Sequence, residues 1–316
     1  MSDIWLLTAG VSLMVTVRTM TATAGSFGGA GLGVAVAPHL LRLAAVPGSQ
    51  PRRTNDLLML RPACAQDQRS SEDQSRHVVF FPGDIQNFEQ EMARQAEGAQ
   101  WQRWSFERVA LILAQRFPGH YIWVVRAACM YLHKFSSYCN FVESNMFGTP
   151  EHSPHYGAIC HLRALLRHGL LRAGLLSPTD AFPPPGLSLI LVGFSKGCVV
   201  LNQIVHELEA AGSDPELATF LQQVSELYWL DGGHPGGSGT WVTERRALEV
   251  LAARGVALHA HVTPYEVQDP MRAWVGHEHR QFVETLKELK ARVTSTLHFQ
   301  DEPASIDNHF RVIEEF

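Results

Sequence analysis

The segment from Leu187 to Leu208 constrains the possible folds of this chain more than any other. Leu187-Ser188-Leu189-Ile190-Leu191-Val192 is a short apolar run, bounded upstream by Pro183, Pro184, Pro185 and Gly186. Such a run reads as a central strand covered on both faces, the situation of strands in parallel sheets. Gly193-Phe194-Ser195-Lys196-Gly197 comes next, and from Cys198 to Leu208 apolar residues recur at helical spacing. Strand, sharp turn and helix form the context in which Gly-x-Ser-x-Gly makes a nucleophile elbow, with the serine hydroxyl raised above the sheet. The two glycines remove side chains that would clash in so tight a turn. Ser195 is the candidate nucleophile. A plain Gly/Ser turn between a strand and a helix accounts for the same residues without chemistry, so a catalytic role requires an acid and a base further along the chain.

A hydrolase of this architecture carries its acid and then its histidine C-terminal to the serine. Leu227-Tyr228-Trp229-Leu230 reads as a strand ending at Asp231, before the glycine-rich stretch Gly232-Gly233-His234-Pro235-Gly236-Gly237. A helical stretch, Thr243 to Arg254, leads to a strand from Val256 to Val262, and a loop then carries Asp269. A long amphipathic segment from Met271 to Lys290 and a last strand, Val293 to Phe299, precede Asp307-Asn308-His309-Phe310. The expected base is His309. Asp269 is the expected orienting carboxylate, because it lies on the loop after the following strand, and Asp231 at its own strand end is the alternative. The tetrahedral oxyanion requires two backbone donors. The Lys196 amide is one. The turn Pro82-Gly83-Asp84-Ile85, after the strand His77 to Phe81, supplies the other through Asp84, with Ile85 next.

The remaining elements support one doubly wound, mainly parallel α/β sheet of α/β-hydrolase type. Trp104 to Phe117 and Tyr156 to Ala173 read as helices, Tyr121 to Val125 as a strand, and Asn55 to Leu60 as an edge strand. The expected organisation is a targeting leader and flexible segment over residues 1–54, an edge strand and linker over 55–76, and a single domain over 77–316. Within the leader, Ile4 to Val17 is shorter than a comfortable membrane span, so no transmembrane segment is expected. The stretch from Arg18 to Arg53 is acid-poor, hydroxyl-rich and Arg-bearing, as in a mitochondrial presequence, with a secretory signal peptide as competitor. A formal net charge of −5 and the lack of a basic cluster argue against nucleic acid as partner. Five cysteines without a Cys-x-x-Cys pair suggest buried, reduced thiols. His259 with His261, and His277 with His279, do not make the helical zinc pattern. No metal or cofactor is expected.

From His77 onward the chain also resembles a vertebrate mitochondrial family of α/β-hydrolase-like proteins, whose human member takes its name from open reading frame sixty-nine of chromosome two. The resemblance rests on Phe81-Pro82-Gly83-Asp84, Tyr121-Ile122-Trp123-Val124, Leu132-His133-Lys134-Phe135 and Ser144-Asn145-Met146-Phe147-Gly148. It extends through Gly193 to Asn202, Tyr228 to His234, His261 to Tyr265, Asp269-Pro270-Met271-Arg272 and Asn308 to Val312. It implies a mitochondrial location and a role supporting respiration, with ties to glycogen handling, and it supplies no substrate. The residues themselves suggest hydrolysis of a small acyl ester or thioester. Tyr131, Phe135, Tyr138, Phe141, Met146 and Phe147 are candidates for an apolar lid over an acyl chain, or for ordinary core packing. The alternative function is a catalytically silent scaffold that binds a protein partner in mitochondria.

Overall fold

The computed structural model describes residues 39–62, 75–145 and 148–316. In chain order the strands are β1 (Leu40–Pro47), β2 (Thr54–Leu60), β3 (Arg76–Phe81), β4 (Tyr121–Val125), β5 (Cys129–Tyr131) and β6 (Phe135–Ser137). They continue as β7 (Glu143–Ser144), β8 (Pro150–Glu151), β9 (Ser188–Phe194), β10 (Val224–Leu230), β11 (Ala257–Val262) and β12 (Arg292–Leu297). Eight of these form one sheet in the order β1-β2-β4-β3-β9-β10-β11-β12. The β1–β2 and β2–β4 pairings are antiparallel, which makes β2 the one reversed strand; every pairing from β4 to β12 is parallel. That order, with one reversed strand near the edge, is the α/β-hydrolase arrangement. The pairs β5–β6 and β7–β8 stand apart from the sheet as small antiparallel ladders.

Strand residues divide by parity between two cores. Val79, Phe81, Leu189 and Leu191 pack on one face with the helices Ala158–Arg172, Cys198–Ala211, Arg245–Ala253 and Ala273–Glu288. Val78, Phe80, Ile190 and Val192 pack on the other with the helices Phe106–Arg116 and Ile306–Glu315. Burial on both faces is why these strands read as unbroken apolar runs, each fully buried side chain contributing about 1.5–3 kcal/mol. The Ala158–Arg172 helix starts after Gly157 at φ 99°, and the buried Glu207 carboxylate accepts from the amides of Gly157, Ala158 and Ile159 at 2.8, 2.8 and 3.0 Å. A carboxylate at this position satisfies free amides and complements the helix dipole.

The sheet begins earlier than the sequence pattern suggests. The boundary expected at residue 54 falls inside it, because Leu40–Pro47 is the true edge strand and Thr54–Leu60 is second. A bulge between Leu43 and Val46, with Ala45 at φ 48°, breaks the alternation that would have marked β1. The apolar Ile4 to Val17 segment and the glycines of 28–33 lie outside the described residues. Among the described residues no helix is long and apolar enough to cross a membrane. Four described cysteines are free, and three of them, Cys129, Cys139 and Cys160, are exposed rather than buried.

Candidate active site

Ser195 follows the last residue of β9 and takes φ 51°, a left-handed conformation that a non-glycine residue adopts at a cost. Its neighbours make the turn possible. A Cβ on Gly193 would stand 2.9 Å from Cys198 Cα, and one on Gly83 would stand 2.8 Å from Ser195 Cβ. The β3 loop thus approaches the elbow as closely as glycine allows.

His309 lies in the first turn of the helix Ile306–Glu315, whose N-cap Ser305 accepts from the Asn308 amide. The imidazole is buried, with ring centroids 4.7 Å from Phe194 and 5.0 Å from Tyr265. Its Nδ1 is 2.7 Å from Asp231 Oδ2. An ionised carboxylate only accepts, so Nδ1 carries the proton and Nε2 is left as the ring's acceptor. Burial works against the imidazolium, but the Asp231 hydrogen bond and charge, with Glu266 behind them, outweigh it and raise the His309 pKa.

Asp231 takes φ 47° at the end of β10 and is fully buried. Its Oδ1 accepts from the Thr263 amide at 2.7 Å, and its Oδ2 accepts from the Thr263 hydroxyl at 2.6 Å as well as from His309. Three donors fix the carboxylate in one orientation. Asp269, the first choice for this position from sequence, does not pair with His309. It caps the short Pro270–Arg272 turn, accepting from the Met271 amide at 2.8 Å and from Arg272 Nε at 2.8 Å. Those bonds lower its pKa, the Arg272 bond most. Asp231, held as the alternative, is the residue that the fold brings to the histidine.

Ser195 and His309 line one cavity of about 410 Å³, together with Asp84, Tyr265, Glu266 and Arg272. Among the described residues no hydrogen bond joins the Ser195 hydroxyl to His309; nucleophile–base contacts are often loose before substrate binds. Of the two candidates for the donor on the β3 loop, the Asp84 amide meets no acceptor among the described residues, whereas the Ile85 amide is taken by the Lys134 carbonyl at 2.7 Å. The Asp84 carboxylate turns away to accept from the Ser136 amide at 2.7 Å. Burial raises its pKa. The Lys196 side chain is buried, donates to the Gly148 carbonyl, and has its pKa lowered by burial to about 8.

Glu266 escaped the sequence reading. Its carboxylate is buried against Gly233, where a Cβ would stand 2.6 Å from Oε1, and it accepts from Arg272 Nη1 at 2.8 Å. Burial raises its pKa, while the His309 charge pulls it back. Pro264 at the head of a one-turn helix is a local sign that this segment is ordered. The aromatic segment divides. Tyr131 and Phe135 are exposed and line a second cavity of about 530 Å³ beside Lys196, whereas Tyr138 and Phe141 are core. Met146 and Phe147 lie outside the described residues. No group of three or more His, Cys, Asp or Glu suited to a metal ion occurs among the described residues.

Proteins with this strand order and this elbow belong to the α/β-hydrolase fold, and this chain is one of them. More narrowly, it belongs to the C2orf69 family, whose model matches residues 42–181 and 183–292. It is 61% identical to the mitochondrial protein C2orf69 homolog of Danio rerio, over 100% of this chain and 96% of that protein. With the human mitochondrial protein C2orf69 it shares 44% identity over 87% of this chain and 86% of that protein. Among solved structures it is similar to a thermostable esterase (TM-score 0.41, 14% identity, 88% of this chain and 59% of that one). A brefeldin A esterase matches with a TM-score of 0.43 at 14% identity, over 90% of this chain and 74% of that one.

Proposed function

We propose that this chain is a mitochondrial serine hydrolase that cleaves a small acyl ester or thioester. The observation that carries the reading is the 2.7 Å bond from His309 Nδ1 to a buried, triply hydrogen-bonded Asp231, with His309 and Ser195 facing the same cavity. In this mechanism the Ser195 oxygen attacks the acyl carbon and His309 Nε2 takes its proton. The Lys196 and Asp84 amides hold the oxyanion, and the imidazolium, stabilised by Asp231, returns the proton to the leaving group. Water then repeats the sequence on the acyl-enzyme. The site is built from the chain's own residues and calls for no cofactor. A mitochondrial location is supported by the names of the relatives, and the matrix, a reducing compartment, suits a chain whose described cysteines are all free. Support of respiration is inferred from the family resemblance.

A fluorophosphonate probe is expected to label the wild-type protein in the mitochondrial matrix fraction and to leave Ser195→Ala unlabelled. Equal labelling of both, or of neither while both are folded, favours the silent scaffold. If Ser195→Ala at normal abundance restores respiration in cells lacking the protein, the scaffold reading replaces this one.

A pH dependence accompanies the mechanism. Only neutral His309 accepts the serine proton, so the labelling rate should fall as pH drops through its raised pKa. Glu266 adds to that rise. Glu266→Gln is therefore expected to move the acid limb of the rate profile to lower pH. A limb that stays in place or moves up would show that Glu266 does not act on His309.

A further inference from the structure

A hairpin, β5–β6, forms one wall of the second cavity and is bonded along its length to the loop that holds Asp84. The Lys134 carbonyl accepts from the Ile85 amide at 2.7 Å, and the Ser136 amide donates to Asp84 Oδ1 at 2.7 Å. The Ser136 hydroxyl donates to the Gly83 carbonyl at 3.0 Å, and the Tyr138 hydroxyl to the Pro82 carbonyl at 2.6 Å. At its closed end the hairpin turns through Leu132 and His133 at φ 52° and 55°, both left-handed and neither a glycine. At its open end β5 starts with Cys129, which pairs in register with Ser137, and Cys139 follows two residues later. The two sulfurs are 3.9 Å apart and both residues are exposed.

We propose that Cys129 and Cys139 are a dithiol–disulfide site, oxidised by a low-molecular-weight disulfide such as oxidised glutathione, whose cross-link stiffens the hairpin that braces the Asp84 loop. The sulfurs need to close by roughly 2 Å to reach bonding distance, within the scope of side-chain rotation. The other described thiols lack such a partner: Cys160 is exposed and alone, and Cys198 is buried with its thiol directed to the Gly193 carbonyl at 3.2 Å. Partial burial of its sulfur and the neighbouring Cys129 raise the Cys139 thiol's pKa, which disfavours its thiolate, so the first attack is assigned to Cys129. The Cys129 thiolate attacks one sulfur of oxidised glutathione and expels one glutathione thiolate. Cys139 then gives up its proton, attacks the Cys129 sulfur and expels the second glutathione. Across the two steps the sulfur–sulfur bond of oxidised glutathione is lost and one between the cysteines is gained. The two cysteines lose two electrons and two protons, recovered in two molecules of reduced glutathione.

The cross-link does not depend on Ser195 being a nucleophile, and its test does not either. The full chain incubated with oxidised glutathione should yield, on non-reducing peptide mapping, one linked pair joining Cys129 to Cys139, reversed by excess reduced glutathione. Cys139→Ser should stop at a glutathione adduct on Cys129, and Cys160 reports in the same sample that reagent has reached an isolated exposed thiol. Stable adducts on Cys129 or Cys139 in the wild type, or both thiols unmodified while Cys160 is modified, would overturn the proposal. Amide hydrogen exchange at Ser136 and Ile85 should slow on oxidation of the wild type. Unchanged exchange with the cross-link formed would overturn the coupling to the Asp84 loop.

Discussion

Asp231→Asn is expected to slow acylation of Ser195 by on the order of 10⁴-fold, while Asp269→Asn stays within a few-fold of wild type. The asymmetry arises from the donors around each carboxylate. At Asp231 the Thr263 amide donates to Oδ1, and the Thr263 hydroxyl and His309 Nδ1 share Oδ2. In asparagine the single carbonyl oxygen stays with the Thr263 amide, which can only donate, and the NH2 group then faces His309. Nδ1 becomes an acceptor, the proton moves to Nε2, and the ring presents a donor to Ser195 where a base is required. The Asp269 bonds, to the Met271 amide and Arg272, are at the edge of the site and leave that tautomer untouched. Pseudo-first-order labelling by a fluorophosphonate measures both variants, with their melting curves confirming that each is folded. A larger loss for Asp269→Asn than for Asp231→Asn would remove Asp231 from the proton relay.

Most of the sheet was legible because parallel strands are covered on both sides. Tyr121 to Val125 and the run leading into Ser195 are apolar without interruption, and both appear as strands where expected. β1 was hidden by its bulge, which places Ala44 and Ala45 together on the exposed side. That Ser195 and His309 would meet at one cavity was also legible, but which aspartate reaches the histidine was not, since both aspartates follow strand ends. What separates them is side-chain direction: Asp231 is turned inward by a left-handed backbone and held by Thr263, a residue distant in sequence. One local sign did exist. Proline directly after an aspartate marks a helix N-cap, and Asp269-Pro270 is such a cap. Glu266 was out of reach for a different reason, because the space for its carboxylate is made by Gly233 on another loop.

Gly197→Ala is expected to be the most destabilising single-methyl substitution at the elbow. Gly197 has ordinary helical angles, φ −62° and ψ −23°, so backbone freedom is not what requires glycine here. The requirement is space. A Cβ at this position would stand 1.9 Å from the Phe81 carbonyl oxygen and 2.9 Å from that of Pro82, both main-chain atoms at the end of β3. No rotamer change relieves such a contact, so the start of the Cys198–Ala211 helix or the end of β3 must move. Overpacking of this kind costs about 3 kcal/mol or more when the obstacle is backbone. For a domain of this size that corresponds to a fall in melting temperature of roughly 6 °C or more. The same displacement would separate the Asp84 amide from the Lys196 amide, so labelling of Ser195 should fall even in the fraction that stays folded. Gly237→Ala is the matched control, because a Cβ there meets nothing within 4 Å. Equal melting temperatures for the two variants would show that β3 yields without cost, and the close approach of strand and elbow would no longer explain why glycine occupies position 197.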